Sequence, residues 1–262
     1  MYKSLFTIII PTYNVVHKVG GTIDSALNQA GSARAGLVEV VVVDGGSTDG
    51  TVEVLKTYGH RIRWVSEPDK GLYDAMNKGI GMSTGRFLNF QGAGDTLRPG
   101  ILLDITPLMP DKVNSVVYGR VYLSNEHAEL GRAFTPHILR KRNIPHQAMF
   151  YERSVFDIVG PFSLEYPILA DYALNIRCFG SPAIKTLYVD RVIANFEGGG
   201  ISETGTDDYS GKILGADIRK YLGFGVWSIY ELQRLIRPVS NPIRQSLAQT
   251  KGEAGADEVE KK

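Results

Sequence analysis

At three places in the first hundred residues carboxylates follow a largely apolar run. Asp44 follows residues 38–43, Glu67 and Asp69 follow residues 62–65, and Asp95 follows residues 87–90. Pro11, Thr12, Tyr13 and Asn14 close a fourth run, residues 5–10. If these runs are parallel strands, their carboxyl ends share one edge, where open α/β sheets bind ligands. An edge rich in carboxylates repels phosphate unless a divalent cation sits between. Hard cations such as Mg²⁺ or Mn²⁺ take oxygen ligands from carboxylates and phosphates together. Tyr13 offers a ring for a base to stack on, and Asp44 an acceptor for a base or ribose. The pattern points to a nucleoside diphosphate bridged by a metal. Each acid alone has a plainer reading, with Asp49 a turn residue and Asp69-Lys70-Gly71 a helix lead-in. Their joint placement at successive strand ends carries the functional one.

The elements that must position these residues alternate regularly. Residues 19–30 place Ile23, Ala26, Leu27 and Ala30 at helical spacing, and residues 51–58 and 72–82 follow suit. This βαβαβαβ order predicts an α/β fold with a mostly parallel central sheet flanked by helices, joined by right-handed crossovers. Later strands are expected at 116–123, 148–151 and 187–196, and a helix at 168–179. One domain is expected over residues 1–205, with a ligand-binding half at 1–98 and a second half at 99–205. A helical extension would occupy 206–247. Residues 248–262 carry no apolar period and read as a disordered tail.

Composition removes several classes. The 262 residues carry 29 Lys+Arg against 28 Asp+Glu, a net charge of +1, leaving no basic excess to coat nucleic acid. A single cysteine, Cys178, excludes a disulfide framework and suits a reducing, cytoplasmic compartment. The N-terminal apolar run meets Pro11 too soon for a signal peptide or a membrane span. Residues 221–247 mix aromatics with arginines, as either a helix on an anionic membrane surface or one docked on the core would. Gly81-Met82-Ser83-Thr84-Gly85 matches the nucleophile elbow in letters but lies between a helix and a strand, the reverse of what that elbow needs. Pro11-Thr12-Tyr13-Asn14 lacks every glycine of a dinucleotide loop, and the five histidines lack zinc-ligand spacing.

The segments TIIIPTYN, VVVDGGSTDGT, SEPDKGLYDAMNKGI and FLNFQGAGD, followed by HQAMFYERSVFDIVGPF and ILADYALNIR, resemble in order the motifs of family 2 glycosyltransferases of the GT-A fold. The likeness runs over residues 6–202. It implies a Rossmann-like nucleotide-sugar-binding half, an acceptor-binding half, and a Mg²⁺ or Mn²⁺ ion. Pro11, Thr12, Tyr13 and Asn14 match the nucleobase loop, and Asp44, with Gly45 and Ser47, the acid that contacts base and ribose. Glu67, Asp69 and Lys70 match the segment against the nucleotide, with Asp74 and Asn77 on the helix behind it. Gly94 and Asp95 match the end of the Asp-Xaa-Asp metal motif. His146 and Gln147 match a pair near sugar and diphosphate, and Asp171 matches the catalytic base. One base and one displacement imply inversion.

The stretches KRNIPHQAMFY and ADYALNIRCF also resemble bacterial enzymes of polysaccharide and glycolipid biosynthesis, implying a glycan or lipid-linked acceptor at the cytosolic face of the inner membrane. Two departures stand out. Relatives often carry Asp-Asp-Gly where this chain has Asp44-Gly45-Gly46, and the metal motif reads Ala93-Gly94-Asp95, with one carboxylate. The missing acids motivate an alternative, a non-catalytic nucleotide-sugar-binding protein. A sugar-phosphate nucleotidyltransferase would need a Gly- and Arg-rich loop after the first strand, which Pro11-Thr12-Tyr13-Asn14 does not provide.

Overall fold

Alternate residues of the first strand, β1 (Ser4–Thr12), feed two different cores: Ile8 and Ile10 one, Ile9 the other. The second, β2 (Val38–Asp44), divides Val40 and Val42 from Val41 and Val43 in the same way. Strands apolar on both faces require helices on both faces. The computed structural model describes residues 2–29, 36–111, 114–198 and 210–236, with backbone alone at 210–213 and 233–236.

The first half follows the predicted order. After β1 come α1 (Val19–Leu27), β2, α2 (Thr51–Thr57), β3 (Arg63–Ser66), α3 (Leu72–Met82) and β4 (Gly85–Phe90). Strand β1 pairs in parallel with β2, Phe6 opposite Val38 through Thr12 opposite Asp44, and with β4 on its other side. Strand β2 pairs in parallel with β3. The second half contains β5 (Thr96–Leu97), α4 (Ile101–Ile105), β6 (Ser115–Leu123), β7 (Ala128–Leu130), α5 (Pro136–Leu139), β8 (Met149–Glu152), α6 (Ser154–Val159), α7 (Ala170–Gly180) and β9 (Lys185–Phe196). The sheet order is β3-β2-β1-β4-β8-β6-β9-β5, with β7 on β6. Here the expectation of a mostly parallel sheet needs qualifying. Strand β8 runs antiparallel to both β4 and β6, and β5 antiparallel to β9, so the second half is mixed. Antiparallel neighbours need no helical crossover.

Ile9, Val43, Met76, Phe90, Tyr151 and Phe162 form one core under α3, α6 and α7. Phe90 meets Phe162 edge-on at 5.0 Å. Phe6, Ile8, Ile10, Phe87, Phe150 and Ile193 form the other, under α1, α2 and α4. Cys178 is buried in the first core, which pushes its thiol up to about 12 and leaves it inert as a nucleophile. Ser83 follows α3 and precedes β4, and its hydroxyl donates to the Ile80 carbonyl, so the elbow look-alike is a helix end.

Beyond β9, the helix Ser210–Asp217, a π-helical turn Ile218–Leu222 and the helix Phe224–Ile236 close the described chain. Leu214, Ile218 and Val226 join the first core, with Trp227 and Tyr230 packed against it. The last helix is therefore docked, yet Phe224 and Leu232 stay 65% and 59% exposed. No helix among the described residues is long and apolar enough to cross a membrane. The tail expected at 248–262 lies outside the described residues.

Candidate active site

Asp44 ends β2 with its side chain fully buried. Its carboxylate accepts hydrogen bonds from the hydroxyls of Thr12, Ser47 and Ser66 and from the amides of Gly46 and Ser47. The neighbouring loop is stitched on by Asn14, in left-handed backbone at φ 52°, whose side-chain oxygen accepts from the Thr48 amide and whose own amide donates to Ser47. Asp49 accepts from the amides of Val16 and Thr51, the turn role its plainer reading gave it. Asp44, Asn14 and Ser47 are thus tied into one loop at the strand ends. Burial alone would raise the Asp44 pKa, but the bonds from Ser47, Ser66 and Thr12 outweigh it and hold the group below the ordinary aspartate value. Its stabilising contribution is complete above the unfolded value near pH 4 and is lost as pH falls through the lower folded value. Asp44→Asn is expected to cost about 1–3 kcal/mol at neutral pH. It should also flatten the acid limb of the melting temperature below about pH 4; an unchanged limb would place the acid sensitivity elsewhere.

The carboxylate that reaches the place after Asp44 comes from another segment. A Cβ built on Gly45 would lie 2.6 Å from Asp69 Oδ2, so Asp69 fills the space a side chain at 45 would take. Asp69 Oδ1 accepts from the Gly71 amide at the start of α3, so the helix lead-in is real as well. Tyr13 stands 64% exposed above this edge. Glu67 and Asp74 face outward around Lys78, at 2.9 and 3.8 Å, and the Lys70 amide donates to Asp74. Asn77 is held away from the edge: its amide donates to the Phe162 carbonyl and its oxygen accepts from the Phe162 amide, clamping α3 to the second half.

Asp95 follows β4, 5% exposed. One oxygen accepts from Gln147 Nε2 at 2.7 Å, the other from the Glu197 amide at 3.0 Å. Burial raises its pKa against the opposing hydrogen bonds and the nearby His146 ring. Gly94 sits at φ +108°, and a Cβ there would lie 1.9 Å from Glu197 Oε2. The Glu197 carboxylate, paired with Lys18 at 3.0 Å, thus lies where a residue-94 side chain would be. Two buried amides fix the turn carrying His146 and Gln147: Asn89 donates to the carbonyls of Gln147 and Met149, and Gln91 to the Gln147 carbonyl.

Asp171 enters at the first turn of α7, 7% exposed. Oδ1 accepts from the Tyr172 amide at 2.8 Å and lies 3.1 Å from the Tyr73 hydroxyl. Oδ2 accepts from Asn143 Nδ2 at 2.9 Å and lies 3.4 Å from His146 Nδ1. Since His146 touches Asp171 and Gln147 touches Asp95, two consecutive residues, about 3.8 Å apart in Cα, join the two acids. Tyr73, Asn143, Lys18 and Glu197 had escaped the sequence reading. Only Tyr73 carried a signal, as a tyrosine on a buried helix face whose hydroxyl must find a partner.

Among the described residues no group of three or more His, Cys, Asp or Glu gathers to hold a metal. The oxygen donors present, Asp95 and Glu197, suit a hard cation that completes its shell with phosphate oxygens and water. Among the described residues they do not by themselves make a self-sufficient metal centre.

A parallel nucleotide-type half continued by a mixed second half, with the acids at the joint, defines a GT-A type glycosyltransferase. The chain belongs to glycosyltransferase family 2, matching the Glycosyl transferase family 2 profile over residues 7–165. It is 40% identical over 215 residues to the PGL/p-HBAD biosynthesis glycosyltransferase of Mycobacterium tuberculosis, covering 79% of this chain and 82% of that one. Similar folds include S. aureus TarS 1–349 in complex with UDP (TM-score 0.66, 15% identity, 89% of this chain and 72% of that one). The chain spans 40% of the longer TarS chain. The mannosyltransferase PcManGT from Pyrobaculum calidifontis, in complex with GDP-Man and Mn²⁺, matches at TM-score 0.59 and 16% identity, over 97% of this chain and 81% of that one.

Proposed function

We propose that this glycosyltransferase moves a sugar from a nucleotide-diphosphate donor to a hydroxyl of a glycan or lipid-linked acceptor, with inversion at the anomeric carbon. The observation that carries the reading is the join of Asp171 and Asp95 through His146 and Gln147. The nucleotide lies along the strand ends, past Tyr13, Asp69 and Lys70. The UDP of TarS and the GDP-Man of PcManGT support such a donor. Asp171 provides the basic centre that removes the acceptor proton, a role worth about 10²–10⁴ in rate. One displacement at one basic centre inverts the configuration. A divalent cation, held by Asp95 and Glu197, would neutralise charge on the departing diphosphate. The carboxylates of Asp69 and Glu197 at the places of Gly45 and Gly94 count against donor binding without turnover, since the acids whose lack motivated that reading arrive from elsewhere.

Thermal shift against UDP, GDP and dTDP with Mn²⁺ tests the donor class, because a ligand at about a hundred times its Kd adds roughly 2.7 kcal/mol of stability. Proton NMR of the sugar first released on hydrolysis then reads its anomeric configuration. Retained configuration would overturn the single displacement.

A lipid-linked acceptor is supported by the last helix, where Phe224, Ile229 and Leu232 are exposed and Arg219 lies over the rings of Phe224 and Trp227. Aromatics beside cations suit an anionic lipid surface. The protein is expected to sediment with phosphatidylglycerol vesicles and not with phosphatidylcholine, and Phe224→Asp with Leu232→Asp to release it. Equal sedimentation of protein and variant would leave that helix a purely structural element.

A further inference from the structure

The two oxygens of Asp171 are not equally occupied. An ionised carboxylate offers about four lone-pair positions. Oδ1 faces the Tyr172 amide at 2.8 Å and the Tyr73 hydroxyl at 3.1 Å. Oδ2 accepts from Asn143 Nδ2 at 2.9 Å, and among the described residues no other hydrogen bond reaches it. His146 Nδ1 stands 3.4 Å from Oδ2, beyond ordinary hydrogen-bond distance. The second position of Oδ2 is therefore open, on the side of the turn whose Gln147 bonds Asp95.

What aims Oδ2 is Asn143, and no helix or strand holds that residue; it lies between α5 and the His146 turn. A relay of buried amides fixes its side chain instead. Asn143 Oδ1 accepts from the Ile144 amide at 2.9 Å and from Asn175 Nδ2 at 2.8 Å. Asn175, fully buried on α7, also donates to the Ile144 carbonyl, and its oxygen accepts from the Tyr151 hydroxyl of β8 at 2.7 Å. Every donor along this chain meets an acceptor. Turning over either amide would set oxygen against oxygen, so the orientation of both is fixed. A sheet strand and the helix that carries Asp171 itself thus hold the one amide that touches Oδ2.

We infer that Asn143 is a positioning residue for the transfer: fixed by Asn175 and Tyr151, it fills one lone pair of Asp171 Oδ2 and leaves the other aimed at the acceptor hydroxyl. The inference rests on the proposed transfer reaction and deepens it by naming the oxygen that takes the proton. In the step, the acceptor O–H bond breaks and its proton passes to Oδ2. The oxygen's electron pair forms the bond to the anomeric carbon. The bond from that carbon to the diphosphate oxygen breaks, and its electron pair leaves with the nucleoside diphosphate. The Asp171 carboxyl then returns its proton to solvent.

Donor hydrolysis, with water as acceptor, tests this in the full chain. The probe is whichever of UDP-glucose, UDP-N-acetylglucosamine and GDP-mannose raises the melting temperature most with Mn²⁺, and nucleotide release is the readout. Asn143→Asp keeps the oxygen that Asn175 and the Ile144 amide use, and replaces only the donor to Oδ2. Two carboxylates so close share a proton, which then sits where the acceptor proton must go. At neutral pH kcat is expected to fall about 10²-fold or more, with donor KM and donor-induced thermal shift within about threefold of wild type. As pH rises and the shared proton leaves, the rate of the variant relative to wild type should climb. Tyr73, His146, Tyr151 and Tyr172, the other titratable groups around Asp171, are common to both proteins. Tyr151→Phe removes only the far hydroxyl of the relay and should lower kcat by about three- to tenfold at unchanged KM. If folded Asn143→Asp stays within about threefold of the wild-type rate while Asp171→Asn is inactive, Asn143 does not position the base and the inference falls. A loss that is flat with pH would likewise overturn it, leaving the amide a structural link. If Asn143→Asp does not fold, Tyr151→Phe decides, and a wild-type kcat there overturns the relay. If instead Asp171→Asn hydrolyses at the wild-type rate, the basic centre itself is misplaced, and the proposed function falls with the inference.

Discussion

Asp171→Asn is expected to lower sugar transfer by about 10³-fold or more while nucleotide affinity changes by no more than a few-fold. The substitution is nearly isosteric, so the Tyr172 amide keeps an acceptor. What changes is charge and polarity. The new amide nitrogen would face Asn143 Nδ2 or His146 Nδ1, donor against donor, and no negative charge would remain to stabilise a proton taken from the acceptor. Because the side chain is buried and its partners are fixed by Tyr73 and Asn175, water cannot easily stand in for the carboxylate. Turnover and nucleotide calorimetry on the same preparation separate the two effects. Transfer at the wild-type rate would move the basic centre elsewhere, and lost nucleotide binding would make Asp171 a structural residue.

The second large effect is expected at Asp95. Truncation to alanine strands Gln147 Nε2 and the Glu197 amide, so the His146–Gln147 turn and the end of β9 each lose one anchor. Mn²⁺-dependent nucleotide binding should weaken by at least about tenfold, or 1.4 kcal/mol. Glu197→Gln offers the finer cut. It keeps the backbone bond to Asp95 and removes the charge beside Gly94 with its ion pair to Lys18, so it should weaken the Mn²⁺-dependent part of binding and leave the metal-free part alone. Calorimetry with and without Mn²⁺ reads both variants. If the two bind nucleotide as wild type does, neither carboxylate faces the diphosphate.

The first four strands and three helices could be read from the chain because their periodicity is long and their cores lie on both sides. Residues 72–82 emerge as a helix with those very bounds, and β2 differs by one residue at its end. The second half was harder. Strands of two and three residues, such as β5 and β7, are too short to show a period, and the four-residue α5 is a single turn. The strand-end acids were visible too, but not their division of labour. Asp44 and Asp69 look alike in sequence, yet one is knotted into its loop and the other lies over Gly45. The partners that complete the site come from far along the chain: Lys18 and Glu197 are 179 residues apart, Tyr73 and Asp171 98. No local pattern encodes such pairs, because sheet closure alone brings them together.

The seating of Asp69 over Gly45 also sets the order in which this lineage can change. Writing an aspartate into position 45 would drive two carboxylates into one space unless residue 69 first became small. The two positions are therefore epistatic: either single exchange passes through a crowded or an acid-poor intermediate, and only the paired exchange keeps the pocket's charge constant.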